Sequence, residues 1–277
     1  MAKLLSNIGM VYAELGQCEE ALKYSKQALA MVQTLYSGNH PEIAVSLNSL
    51  AWIYFDSNRP QEALKYSKQA LEMGQTLYSG NHPEIAMSLN GVGDAYYELA
   101  QYKESLKYDQ QALEMWQILC TGNHPAVAIS LSNLGTTYRQ IGQYEEALKY
   151  YEQALEMRQS MYSPHHASVA HSLHQLGVVY RKLGRYEEAL KCHKQNLEIY
   201  QTLYADNHPN MARSLHYLGK IYQALGQSQE ALKYYHQALK MYQAVYSYNN
   251  NSDIADSLNS LGAAYKDLGQ YEKALKY

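Results

Sequence analysis

The stretch NHPAVAISLSNLGTTYRQIGQYEEALKYYEQALEMRQSMY, residues 123–162, decides the fold. Pro125 suits the first turn of a helix, because its missing N–H would have had no partner there. From Ala128 the apolar and small positions Leu131, Leu134, Gly135 and Tyr138 recur at steps of three and four, the helical period. Gly142 ends this helix as the left-handed residue after its C-cap. Glu145 and Glu146 follow Tyr144, acids in the first turn of a second helix where the dipole favours them. Ala147, Leu148, Tyr151, Ala154, Leu155 and Met157 then form a stripe that must touch two surfaces, the first helix and a neighbouring repeat.

The same unit recurs along the whole chain. Leu5, Leu47, Leu89, Leu131, Leu173 and Leu215 are each 42 residues apart. Leu258 follows at 43, because Tyr248-Asn249-Asn250-Asn251 carries one extra residue. A fixed period in this range marks a solenoid, in which each unit buries its apolar face only by stacking on its neighbours. The chain therefore reads as one all-α array over residues 1–277, an α-solenoid of stacked antiparallel helix pairs in about seven copies. Both termini fall inside helices, so the first and last copies are incomplete and the sequence predicts a piece of a longer array. Open ends of that kind also predict end-to-end self-association.

With 47% apolar residues the chain can bury a large interior, spread along the array as a seam. A net charge of −3 gives no global field to draw it to nucleic acid or to an anionic membrane. No run of about 18 apolar residues offers a spanning helix, and the start lacks the apolar stretch of a secretory signal. Cys18, Cys120 and Cys192 occupy three different columns of the repeat, each where other copies carry tyrosine. Such cysteines predict neither a disulfide nor a metal site, and they favour a cytoplasmic location.

Leu131-x2-Leu134-Gly135-x2-Tyr138, followed by Gly142, Tyr144, Ala147 and Ala154, resembles the tetratricopeptide repeat. The longer period and the recurring Asn-His-Pro-x-x-Ala-x-Ser-Leu opening are similar to the 42-residue variety of kinesin light chains and nephrocystin-type proteins. The resemblance covers the whole chain. It implies a right-handed superhelix of helix pairs, with the first helices lining a concave groove.

Departures from the pattern carry their own expectations. Asn58 and Ala100 replace the turn glycine, and a positive φ at Ala100 costs about 1 kcal/mol. Asn196 stands where other copies have a core alanine, so its amide needs hydrogen-bond partners.

No nucleophile elbow, zinc-protease motif, Ser/His/Asp arrangement or phosphate loop is present, so neither catalysis nor a cofactor is expected. The column His40, His82, His124, His166 and His208 repeats most visibly. Its members lie about 10 Å apart, one helix diameter, and cannot share a metal ion. The column reads as architecture where each first helix begins. His171 and His174 share a helix face, but no cysteine or carboxylate cluster completes a zinc set.

Positions opposite the core stripe of each first helix vary between copies, and those are the candidate binding residues. At 100° per residue they are the columns of Ile129, Ser132, Thr136, Arg139 and Gln140. The early copies place Asn48, Trp52, Phe55, Asn90 and Tyr97 there, together with Asp94 and Glu98. The later ones place Arg139, His171, His174, Arg181, Lys182, Arg213, His216 and Lys220. An aromatic, acidic front and a basic, histidine-rich back predict a non-catalytic module for a peptide or partner protein. The expected ligand is an acidic segment with an aromatic or apolar anchor, and the histidines are expected to titrate near neutrality. Kinesin light chains take acidic, aromatic-bearing peptides, so the resemblance implies the same class of ligand. The carboxylate clamp of chaperone-docking tetratricopeptide domains is absent, since Asn48/Trp52, Asn90/Asp94, Ser132/Thr136 and His174/Val178 stand at its positions. Alternatives are a regulatory arm of a larger signalling ATPase or other enzyme, and a self-assembling scaffold.

Overall fold

Repeated N-caps set where the first helices begin. The Nδ1 atoms of His40, His82, His124, His166 and His208 each accept the backbone N–H two residues on, at 3.1–3.2 Å. Each ring therefore carries its proton on Nε2, since an accepting nitrogen is unprotonated. A tyrosine from the end of the preceding helix stacks on the imidazole in several copies. Tyr36–His40, Tyr78–His82 and Tyr204–His208 have ring centroids 3.4–3.6 Å apart. The histidine column is architecture: a cap on one helix and a lid over the turn before it.

The structure is a computed structural model and describes residues 1–246 and 251–277. The inserted residue near Tyr248-Asn249-Asn250 lies outside the described residues. Among the described residues there are fourteen helices and no strand. The chain divides into two compact units, 1–143 and 144–277. The first holds α1 (Ala2–Glu14), α2 (Cys18–Leu35), α3 (Pro41–Asp56), α4 (Pro60–Leu77), α5 (Pro83–Glu98), α6 (Tyr102–Leu119) and α7 (Pro125–Gln140). The second holds α8 (Tyr144–Met161), α9 (Ala167–Lys182), α10 (Tyr186–Leu203), α11 (Pro209–Ala224), α12 (Ser228–Val245), α13 (Ser252–Asp267) and α14 (Tyr271–Ala274). None is long and apolar enough to cross a membrane.

Helices pack on their sequence neighbours within each unit, as a solenoid requires. First helices of successive repeats also touch each other: α1 on α3, α3 on α5 and α5 on α7 in one unit, α9 on α11 and α11 on α13 in the other. They form the closely spaced row. Leu50, Ile53, Val92 and Leu134 bury the first-helix stripes of unit one, and Ala63, Ala70 and Ala112 are the small residues that admit the second helices.

Turn chemistry follows the sequence reading. Gly142 has φ +81°, while Asn58 and Ala100 hold φ 56° and 57° in the equivalent turns. The strain at Ala100 is therefore real. Asn196 is buried, and both ends of its amide are used. Nδ2 donates to the carbonyl of Ala170 at 2.6 Å, and Oδ1 accepts from the Ser214 hydroxyl.

Candidate functional site

Hydrogen bonds tie α3 to α5 and α5 to α7 in unit one, and α11 to α13 in unit two. The serines of the Ser-Leu openings are buried, and three of them reach back one repeat. Ser88 donates to Oδ1 of Asn48 at 3.0 Å, and Ser130 to Oδ1 of Asn90 at 3.1 Å. Ser257 meets Nδ1 of His216 at 3.1 Å. Asn48, Asn90 and His216 occupy one column, so the repeat uses that column to lock register as well as to face outward. These bonds fix the carboxamides of Asn48 and Asn90 and turn their Nδ2 donors away from the serine. Nδ2 of Asn48 also points at the Glu84 carboxylate, 3.5 Å away.

Unit one carries an apolar surface on its first helices. Trp52 on α3 is 45% exposed, Met87 on α5 50% and Ile129 on α7 49%. Each occupies a groove column, and with Phe55, Asn48 and Asn90 they line a cavity of about 380 Å³. Phe55 differs from expectation: it is half-buried and packs against the core of the unit, so only Trp52 stands clear. Three large exposed apolar side chains around one cavity cost free energy unless something covers them.

A smaller cavity of about 230 Å³ opens on the other side of Phe55 and Asp94. Tyr97 and Thr136 line it, and so does Asp109, which comes from a second helix. Asp109 is only 1% exposed. Ser105 donates to its Oδ2 at 3.2 Å, and Oδ1 has no hydrogen-bond partner among the described residues. Asn133 donates to Oδ1 of Asp94 at 2.8 Å. Burial, then the charge of Glu98, pushes the Asp94 carboxyl up to about 7; burial, then Asp94, pushes Asp109 well above the carboxylate range. Tyr97 and Arg139 are half-buried at the same end of their helices.

In unit two the basic side chains divide by exposure. His171, Lys182 and Arg213 are exposed, while His174, Arg181 and Lys220 are half-buried. Lys220 lies 5.5 Å from the Tyr217 ring, and its ammonium is lowered first by burial and then by the positive charge of Arg181. Tyr217 also stacks on the buried ring of His193 and meets His174 edge-on. Nε of Arg181 and both nitrogens of His193 are buried without hydrogen-bond partners among the described residues.

His216 corrects the sequence reading. It is 5% exposed, and burial followed by the nearby Lys220 holds its imidazole down to about 4. His171 is also lowered, by burial and by Arg158 and Arg213. Ionising His216 would place charge beside an existing cation in a desolvated site, and ionising His171 would place it near Arg158 and Arg213.

The column Ser25, Ser67, Asp109, Tyr151, His193 and Tyr235 escaped the search of first-helix positions. In several copies it faces a first-helix glycine. A methyl group on Gly93 would overlap the Asp109 carboxyl, one on Gly177 would crowd the His193 ring, and one on Gly219 would crowd Tyr235. The missed signal was a variable polar column opposite a repeated glycine. It is the route by which second-helix side chains reach the first-helix row.

Comparison with known proteins accounts for this architecture. Tetratricopeptide repeat models match residues 1–76, 58–118, 84–160 and 168–244, with further matches at 132–192 and 254–277. The chain belongs to the tetratricopeptide repeat family. No curated protein matches it. This tetratricopeptide repeat chain is similar to the nearly identical repeats of a putative kinesin light chain from Podosopora anserina. The identity is 26% over 76% of this chain and 100% of that one, with a TM-score of 0.66. BtubC (BKLC) from P. vanneervenii is 19% identical over 91% of this chain and 94% of its own, at a TM-score of 0.67. The apo form of RapI is 17% identical over 100% and 94%, at 0.75. At those identities the last two likenesses concern the fold.

Proposed function

We propose that this chain is a protein-interaction module that uses the first-helix row of each unit to hold a partner. Unit one takes an apolar or aromatic anchor at Trp52, Met87 and Ile129, oriented by the amide donors of Asn48 and Asn90. Unit two takes an acidic stretch at Arg213, Lys182, Arg181 and Lys220, where carboxylates would complete the unpartnered Nε of Arg181 and stabilise the crowded cations. His171 and His174 contribute as hydrogen-bonding rings. The exposed apolar triplet around the 380 Å³ cavity carries the reading, because exposed aromatic and aliphatic clusters next to fixed polar groups are recurrent binding anchors.

A peptide array probed at low and high salt tests both halves. Acidic peptides with an aromatic residue bind best at low salt; Arg213→Glu abolishes the preference for acid, and Trp52→Ala abolishes the preference for an aromatic. If acidic and neutral peptides bind alike, or Arg213→Glu changes nothing, the acidic assignment is wrong. Hits indifferent to Trp52→Ala remove the anchor assignment.

A further inference from the structure

The acidic cavity of unit one is unlike the rest of that face. Three acidic residues, Asp94, Glu98 and Asp109, line about 230 Å³ of space walled on one side by Phe55 and bordered by Tyr97. One of them, Asp109, is almost completely buried, and its Oδ1 is unbonded among the described residues. A buried acceptor without a donor costs roughly 1–3 kcal/mol, more when charged, and sequences rarely keep one without a use. Nothing in the repeat demands an acid here. The equivalent residues of the two preceding copies are Ser25 and Ser67. Gly93 has no side chain, and the Asp109 carboxyl occupies the space that one would fill.

The Asp94 and Asp109 carboxyls are also differently committed. Oδ1 of Asp94 is held by Asn133 and Oδ2 of Asp109 by Ser105, and Ser105 is itself 3.1 Å from the Thr137 hydroxyl. These bonds fix the orientation of both groups before any ligand arrives, which lowers the ordering cost of binding. A metal ion is a poor match, since no group of three or more His, Cys, Asp or Glu side chains among the described residues is placed to hold one. A planar organic cation matches better: it has donors for carboxylate oxygens and faces for aromatic rings.

We propose that this cavity receives a guanidinium group, the end of an arginine side chain on the partner, with Asp109 Oδ1 as its principal acceptor, Asp94 as the second carboxylate and Phe55 as the apolar wall. The proposal rests on the reading of unit one as a docking face and adds a basic residue beside the apolar anchor. The raised carboxyls fit this picture: desolvation and the repulsion of a neighbouring carboxylate, Glu98 for Asp94 and Asp94 for Asp109, are what an arriving cation relieves.

N-acetylarginine methylamide serves as the probe, titrated into the whole chain and followed by backbone amide shifts, with the citrulline analogue as its uncharged isostere. The arginine compound gives saturable shifts at Gly93, Ser105 and Asn133, and the citrulline compound does not. Asp109→Ser, which copies the preceding repeats, weakens the arginine response at least about tenfold. Equal responses to both compounds, or no loss in a folded Asp109→Ser variant, overturn the proposal. Array peptides that bind through Trp52 with no preference for arginine would overturn it too, while leaving the docking reading intact. Arginine-specific shifts with no array peptide bound would sustain the cavity and remove the docking reading instead.

Discussion

Gly93 on α5 and Asp109 on α6 face each other so closely that a methyl group on the glycine would overlap the carboxyl. The pair is the price of placing a second-helix acid in the first-helix row. Gly93→Ala is expected to destabilise the chain by about 1–3 kcal/mol, the usual cost of overpacking a filled interface. Adding Asp109→Ser should recover most of that loss, because the preceding repeat carries Ala51 and Ser67 at the equivalent positions. Urea midpoints of the wild type, both single variants and the double variant measure the coupling. Simple additivity of the two changes would show that the clash is relieved elsewhere.

Asp94 makes unit one respond to pH in the direction opposite to ordinary acid lability. Its carboxyl rises from the usual range to about 7 on folding, so the native state holds more protons than the unfolded chain between about pH 4 and 7. Its contribution is thus complete below the unfolded value and is lost as pH rises through the folded one. The slope reaches at most about 1.4 kcal/mol per pH unit. Asp94→Asn should therefore gain more stability, relative to wild type, at about pH 7.5 than at about pH 5. Denaturation midpoints at the two pH values provide the comparison; an equal gain at both would show that Asp94 does not titrate in this window. Asp109 stays in place with its raised carboxyl, so part of the wild-type slope survives in the variant.

Ala100 holds φ 57°, where its Cβ crowds the backbone, and Asn58 holds φ 56° in the equivalent turn. Ala100→Gly is expected to stabilise the chain by up to about 1 kcal/mol, and Asn58→Gly by only a few tenths, because asparagine tolerates this region better than alanine. Thermal midpoints rank the two. A larger gain at Asn58, or a loss at Ala100, would mean that the strain is absent or offset by chain entropy in the unfolded state.

The repeat period made the helices, their caps, the two strained turns and the satisfied Asn196 legible in the sequence, because each depends on local geometry that recurs every 42 residues. The candidate surface was legible only in part. Trp52 could be placed outside by angle on a helical wheel. Phe55 could not, since its half-burial depends on the adjoining repeat. Asp109 stayed hidden because it belongs to a second helix, and its carboxyl fits between the helices only because a side chain is missing across the interface, at Gly93. His216 reads as polar and outward on a wheel, yet a serine one repeat later and the Tyr235 ring beside it draw it inside.

That serine supplies a direct test of the histidine. His216 shares a column with Asn48 and Asn90, and its partner Ser257 shares one with Ser88 and Ser130. His216→Asn should therefore keep an acceptor for the buried Ser257 hydroxyl while removing the titrating ring. The wild-type imidazole falls from its ordinary value near 6.5 to about 4 on folding. Its contribution to stability is complete above the unfolded value and is lost as pH falls through the folded one. The wild type should consequently lose stability relative to His216→Asn between about pH 6.5 and pH 4, by at most about 1.4 kcal/mol per pH unit. His216→Leu, which removes the acceptor, should cost stability at every pH, by about 1–3 kcal/mol. An imidazole resonance of His216 that titrates near its ordinary value, or a wild-type-to-asparagine difference that is flat across this range, would place the ring in solvent and return it to the binding surface.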